Sequence, residues 1–158
     1  DYLAGLLIKG GFARGDVEVD RSGPAPTLVA TYQGKTDAPP LLISGHLDVV
    51  AADPADWTRD PFSAVVEDGF VFGRGSYDNK FDVSMAVATL LRLKEEGFTP
   101  KRDVALVLSG DEETMMATTE TLSKRFKGAF LALNTDGGGG TLREDGTPLA
   151  YNLQTAEK

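Results

Sequence analysis

Six side chains in this sequence have the types and spacing for metal chemistry: the lone histidine, His46, and the acids Asp48, Asp78, Glu112, Glu113 and Asp136. His46 closes the apolar run Leu41-Leu42-Ile43-Ser44-Gly45-His46, which continues into Leu47-Asp48-Val49-Val50. In extended backbone, residues two apart point to the same side, so Asp48 can hold one ring nitrogen of His46 and leave the other for a ligand. Glu112 and Glu113 follow a second apolar run, Val104 to Leu108, and Asp136 follows a third, Ala129 to Leu133. Asp78 lies in the glycine-rich connection Gly73-Arg74-Gly75-Ser76-Tyr77-Asp78-Asn79-Lys80. Adjacent glutamates in extended backbone point apart, so one can bind a metal while its neighbour addresses a water. Carboxylates that converge in a low-dielectric cleft must protonate or take up a cation, and with one imidazole among them a divalent metal is the economical reading. Taken singly, a histidine at a strand end is more often a hydrogen-bonded structural residue, and each acid a solvated group or a helix cap, Asp78 above all.

Such residues need a sheet that brings strand ends together. The runs at 41–50 and 104–109 are largely apolar and suit strands covered on both faces, where ligands collect at the carboxyl ends. A helix is expected from about Phe81 to Glu96, stopped by Gly97, with Val83, Ala86, Val87, Leu90 and Leu91 inward and Asp82, Thr89, Arg92 and Glu96 outward. Thr114 to Phe126 reads as a second helix with a thin stripe through Met115, Leu122 and Phe126, and Ala129 to Leu133 as a third buried strand. Upstream, Tyr2 to Ile8 has helical spacing, and Asp16 to Asp20 with Thr27 to Gln33 reads as an antiparallel edge pair. Glu67-Asp68-Gly69 signals a hairpin, and Ala51 to Phe62 an ordered loop of the kind that walls a site. Gly137 to Gly140 has no helix or lysine behind it, so it reads as a flexible turn and not a phosphate cradle; Leu149 to Leu153 suggests a closing hairpin. Strands alternating with helices imply an α/β fold, a three-layer α/β/α arrangement around a mostly parallel sheet with antiparallel strands at its edges.

Composition narrows the partners. With 158 residues and 41% hydrophobic content the chain can form one core. Sixteen basic against 24 acidic residues leave a net charge of −8, which disfavours nucleic acid and anionic membrane surfaces. Without cysteine there is neither disulfide nor thiolate ligand, so any metal is held by oxygen and the single imidazole. No run approaches the roughly twenty apolar residues of a membrane span.

Five motifs in order, over about Leu41 to Gly140, resemble the aminoacylase and carboxypeptidase family of dinuclear zinc peptidases, which includes acetylornithine deacetylase, succinyl-diaminopimelate desuccinylase and glutamate carboxypeptidase. They are Ser44 to Val50; Trp57 with Asp60-Pro61-Phe62; Gly73 to Lys80; Gly110-Asp111-Glu112-Glu113; and Asn134-Thr135-Asp136-Gly137-Gly138. The resemblance implies hydrolysis of peptides or N-acyl amino acids with two zinc ions, for which cobalt or manganese can substitute. It implies that His46 and Asp136 bind one ion, Glu113 the other, that Asp78 bridges them, that Asp48 orients His46, and that Glu112 is the general base. It also implies a cis peptide between Asp78 and Asn79. Ala51 stands where the family usually has proline, and Phe81 where a small glycine commonly follows the lysine.

The family's second zinc also takes a histidine late in the catalytic domain, a further histidine comes from a lid or dimerisation domain, and this sequence has neither. Residues 1–158 are therefore expected to be the first part of a catalytic domain, ending about where the lid begins and inactive alone, with homodimerisation through that further domain. A non-catalytic metal-binding or interaction domain is the alternative, although retention of Glu112 speaks against it. An acidic calcium module is a weaker third reading, since no loop has the acidic spacing of a calcium hand and histidine suits calcium poorly.

Overall fold

The computed structural model describes residues 1–137 and 139–152. Helix α1 (Tyr2–Lys9) precedes β1 (Val17–Asp20), β2 (Thr27–Tyr32) and β3 (Leu41–His46). A short hairpin of β4 (Val65–Glu67) and β5 (Phe70–Phe72) leads to α2 (Lys80–Glu95), β6 (Val104–Ser109) and α3 (Ala117–Arg125). Strand β7 (Leu131–Asn134) and the hairpin of β8 (Gly139–Leu142) and β9 (Pro148–Asn152) follow.

Among the described residues the central sheet has five strands in the order β1-β2-β6-β3-β7. Strand β3 runs parallel to β6 and β7, while β1 and β2 form the antiparallel side. The register pairs His46 with Ser109 and Ser44 with Asn134, so the carboxyl ends of the three parallel strands finish side by side. Alternation along the strands sorts the core into two layers. On one face Leu28, Ala30, Leu106 and Leu108 pack with Leu7 of α1 and Val83, Val87 and Leu90 of α2. On the other, Val29, Leu42, Ala105 and Val107 pack with Leu122 of α3. The α/β reading and the inward stripe of α2 agree with this arrangement.

Four expectations differ. Strand β7 is not buried: Leu131 and Leu133 are each 46% exposed. Among the described residues it is an edge strand, paired only with β3, and the α3 layer lies over β2, β3 and β6 instead. Helix α3 starts at Ala117 and not at Thr114, because Met116 adopts a left-handed φ of 53° and the Asp111 carboxylate takes the first helical amides. Met115 is accordingly 79% exposed and no part of an inward stripe. Gly139 and Gly140 belong to β8, where their backbones pair with Asn152 and Tyr151, so the glycine run enters a strand and does not remain a turn; Gly138 and Leu153 lie outside the described residues. Among the described residues no helix is long and apolar enough to cross a membrane.

Candidate metal centre

His46 is the last residue of β3 and is 1% exposed. Its amide donates to Asn79 Oδ1 at 3.2 Å, which seats the end of β3 against the start of α2. That approach requires glycine at 45, because a Cβ there would lie 2.5 Å from the same Asn79 oxygen. The ring is enclosed by carboxylates. Nε2 lies 2.9 Å from Asp78 Oδ1 and 3.8 Å from Asp136 Oδ2, and Nδ1 lies 3.4 Å from Asp48 Oδ1. The strand stops at His46, so Asp48 reaches Nδ1 from a turn and not from extended backbone, its main-chain oxygen approaching to 3.2 Å as well. The Asp78-Asn79 peptide is cis, in agreement with the expectation.

Asp48 also joins two strand ends. Its carboxylate accepts the Glu112 amide at 3.1 Å and the Glu113 amide at 2.9 Å, and the Leu47 amide donates to Ser109 O at 2.9 Å. The turn bearing Asp136 is tied to β3 through Thr135, whose amide and hydroxyl both donate to Ser44 O at 2.9 Å. All six sequence-predicted residues thus converge. Two groups, His46–Asp78–Glu113 and His46–Glu112–Asp136, each bring one ligand atom per residue within 4.8 Å of one another.

The protonation equilibria follow from crowding. Burial pushes the His46 imidazole down, yet the hydrogen bond to Asp78 and the charges of Asp136, Asp48 and Asp78 outweigh it and leave its pKa raised. Burial and the negative charge of Asp78 raise the Glu113 carboxyl, with His46 opposing. Asp82 is raised by burial and by the charges of Asp136 and Asp78. Asp82 therefore does not face outward as the helical pattern suggested; it is half-buried beside the centre, 3.4 Å from Asn79 Nδ2. A wheel assigns a face of the helix but not what stands next to its first turn.

Sequence reasoning also left Asn79 and Asp111 without roles, although both are buried and hydrogen-bonded at the centre's edge. Asp111 offered one signal, an acid separated by one residue from a strand and shortly before a helix. The loop from Ala51 to Phe62 does not wall the acidic cluster; Pro61 and Phe62 line a separate groove with Arg74 and Tyr77. A cleft of about 300 Å³ instead opens beside His46, Glu112 and Asp136 and runs between the sheet and α3 past Leu42, Val107 and Leu122. One imidazole among several carboxylates, crowded enough to raise the pKa of Glu113 and of Asp82 beside them, is a donor set that fits divalent metal.

Comparison with known proteins decides the family. The model of peptidase family M20/M25/M40 matches residues 42–147. The chain belongs to this family. A succinyl-diaminopimelate desuccinylase of Methylobacterium sp. (strain 4-46) is 36% identical over 150 residues, covering 85% of this chain and 37% of that protein. A Beta-Ala-Xaa dipeptidase of Lactobacillus delbrueckii subsp. lactis is 48% identical over 75 residues, 47% of this chain and 16% of that protein. Among solved structures, an M20 family metallo-carboxypeptidase from Sulfolobus solfataricus superposes with a TM-score of 0.69 at 26% identity over 92% of this chain and 32% of its own. Human carnosine dipeptidase 1 shares the fold, with a TM-score of 0.69 at 24% identity over 86% of this chain and 31% of its own. The chain thus spans about a third of the length of several of the proteins that it matches. Membership makes it part of a metal-dependent hydrolase family.

Proposed function

We infer that the protein carrying these residues is a zinc-dependent hydrolase of amide bonds in peptides or N-acyl amino acids, of carboxypeptidase, dipeptidase or aminoacylase type. The observation that carries this reading is the buried imidazole of His46 between Asp78 and Asp136, with Glu112 and Glu113 fastened to Asp48 at the adjacent strand end. The M20 relatives' names, a desuccinylase and a dipeptidase, support amides next to amino acids as the substrate class. The 158 residues are read as the first part of the catalytic domain, in keeping with the third of the M20 relatives' length that they span.

In this reading His46 and Asp136 would hold one ion and Glu113 a second, with Asp78 available to either. Zinc, when bound, supplies Lewis acidity, acidifying water and stabilising negative charge on a carbonyl oxygen. Asp48 at Nδ1 fixes the tautomer that presents the Nε2 lone pair toward Asp78 and Asp136. Glu112 takes the proton of the attacking water and returns it to the leaving nitrogen. The intact protein is expected to hydrolyse dipeptides or N-acyl amino acids, to stop on chelation and to recover with zinc. Glu112→Gln lowers turnover by about 10²–10⁴-fold while zinc content holds. Wild-type turnover by a zinc-loaded Glu112→Gln protein would overturn the assignment.

A further inference from the structure

Glu112 and Glu113 sit on a turn between β6 and α3, and two carboxylates hold that turn from opposite sides. Asp48 takes the Glu112 and Glu113 amides from the β3 side. On the α3 side stands Asp111, 5% exposed. Its Oδ2 accepts the Ala117 amide at 3.0 Å, and its Oδ1 accepts the Thr118 amide at 3.0 Å and the Thr118 hydroxyl. The Asp111 carbonyl accepts the Thr114 amide at 3.2 Å and the Met116 amide at 2.8 Å. The ring closes through Thr118 Oγ1, which accepts the Gly110 amide at 3.1 Å. Strand end, turn and helix start are thereby joined through one carboxylate and one hydroxyl. Met116 is held in a left-handed conformation, which a residue with a side chain rarely keeps unless its surroundings impose it.

We propose that Asp111 is a positioning residue of the metal centre: its carboxylate fixes the turn that aims Glu112 and Glu113 at His46, Asp78 and Asp136. The proposal rests on the metal-hydrolase reading for its consequence, but its geometry stands apart from it. Asp111 does not belong to either ligand group and acts only through its neighbours. Both of its oxygens meet donors, so Asp111→Asn must turn an amide nitrogen toward one of them and leave a buried N–H or hydroxyl unpaired.

The test compares Asp111→Asn, Thr118→Val and Thr118→Ser in the intact protein, with Leu7→Val as a core variant that lowers the melting temperature far from the turn. Amide hydrogen exchange at Glu112 and Glu113 is read by NMR, and cobalt(II) affinity by titration with the metal alone. In Asp111→Asn and Thr118→Val the two amides exchange about tenfold faster and the cobalt Kd rises about tenfold, as for loss of a group that orients a ligand. Thr118→Ser, which keeps the hydroxyl, stays at wild-type values, and Leu7→Val changes neither readout beyond its effect on global stability. If Asp111→Asn changes both readouts no more than Leu7→Val does, Asp111 only caps α3 and the proposal falls. If Asp111→Asn does not fold, the same two readouts on Thr118→Val decide the question with the carboxylate in place. Should the intact wild-type protein bind no cobalt, the hydrolase reading fails, and exchange at Glu112 and Glu113 still decides the positioning role.

Discussion

His46 carries opposing influences whose balance sets the pH behaviour of the centre. Burial disfavours the imidazolium, while the Asp78 hydrogen bond and the surrounding carboxylates favour it, and the carboxylates prevail. Its folded pKa therefore lies above the ordinary 6.5, so the stabilisation it supplies is full below that value and is lost as pH rises through the folded pKa. Glu113 shifts in the same sense, its contribution full below the ordinary 4.5 and lost as pH rises through its own raised pKa. The metal-free protein is thus expected to lose melting temperature as pH rises through the imidazole's range, and His46→Gln to flatten that slope, both measured by thermal unfolding. Zinc needs the neutral imidazole and ionised carboxylates, so its affinity climbs over the interval in which the metal-free protein weakens. An affinity that stays level across that interval would contradict the assignment of His46 as a ligand. The six side chains were legible in the sequence because each follows an apolar run or a glycine-rich turn. Asp82 was not, since its pKa is governed by burial and by Asp136 and Asp78, which only the fold brings beside it.

At the scale of elements, two parallel pairings with β3 do most of the positioning, because they finish β6, β3 and β7 at one level. Long apolar strands and the amphipathic α2 are legible from residue order alone, since burial on two faces or one leaves its period in the sequence. The boundaries of α3 and the exposure of β7 are not. The first depends on a side chain competing for backbone amides, the second on which strand ends up at the edge. Close approach is equally invisible in one dimension, and Gly45 shows its effect. Gly45→Ala would force Asn79, Val83 and Thr135 away from β3. That overpacking is expected to cost about 1–3 kcal/mol in urea unfolding and to weaken zinc binding together with stability. Unchanged stability in Gly45→Ala would show that the β3–α2 contact is looser than described.

Over the whole molecule, 24 acidic against 16 basic residues give a net charge of −8, and His46 gathers with its acidic neighbours at one end of the sheet. Such a concentration of carboxylates is a standing repulsion that a cation relieves, which links the fold's stability to its proposed chemistry. The family could be read from five motifs because they mark the strand ends and turns that make the centre, and it is matched over residues 42–147. The cleft between the sheet and α3 could not be read, since it is formed by side chains from β3, β6, β7 and α3 that only the fold brings together. The most direct test of the central claim is a calorimetric zinc titration of this chain and of its Asp78→Ala variant, with metal content checked by elemental analysis. The expected result is zinc uptake by the wild-type chain, with affinity reduced about tenfold or more in the variant. A variant that binds zinc equally well, or an intact protein that takes up none, would contradict the metal centre described above.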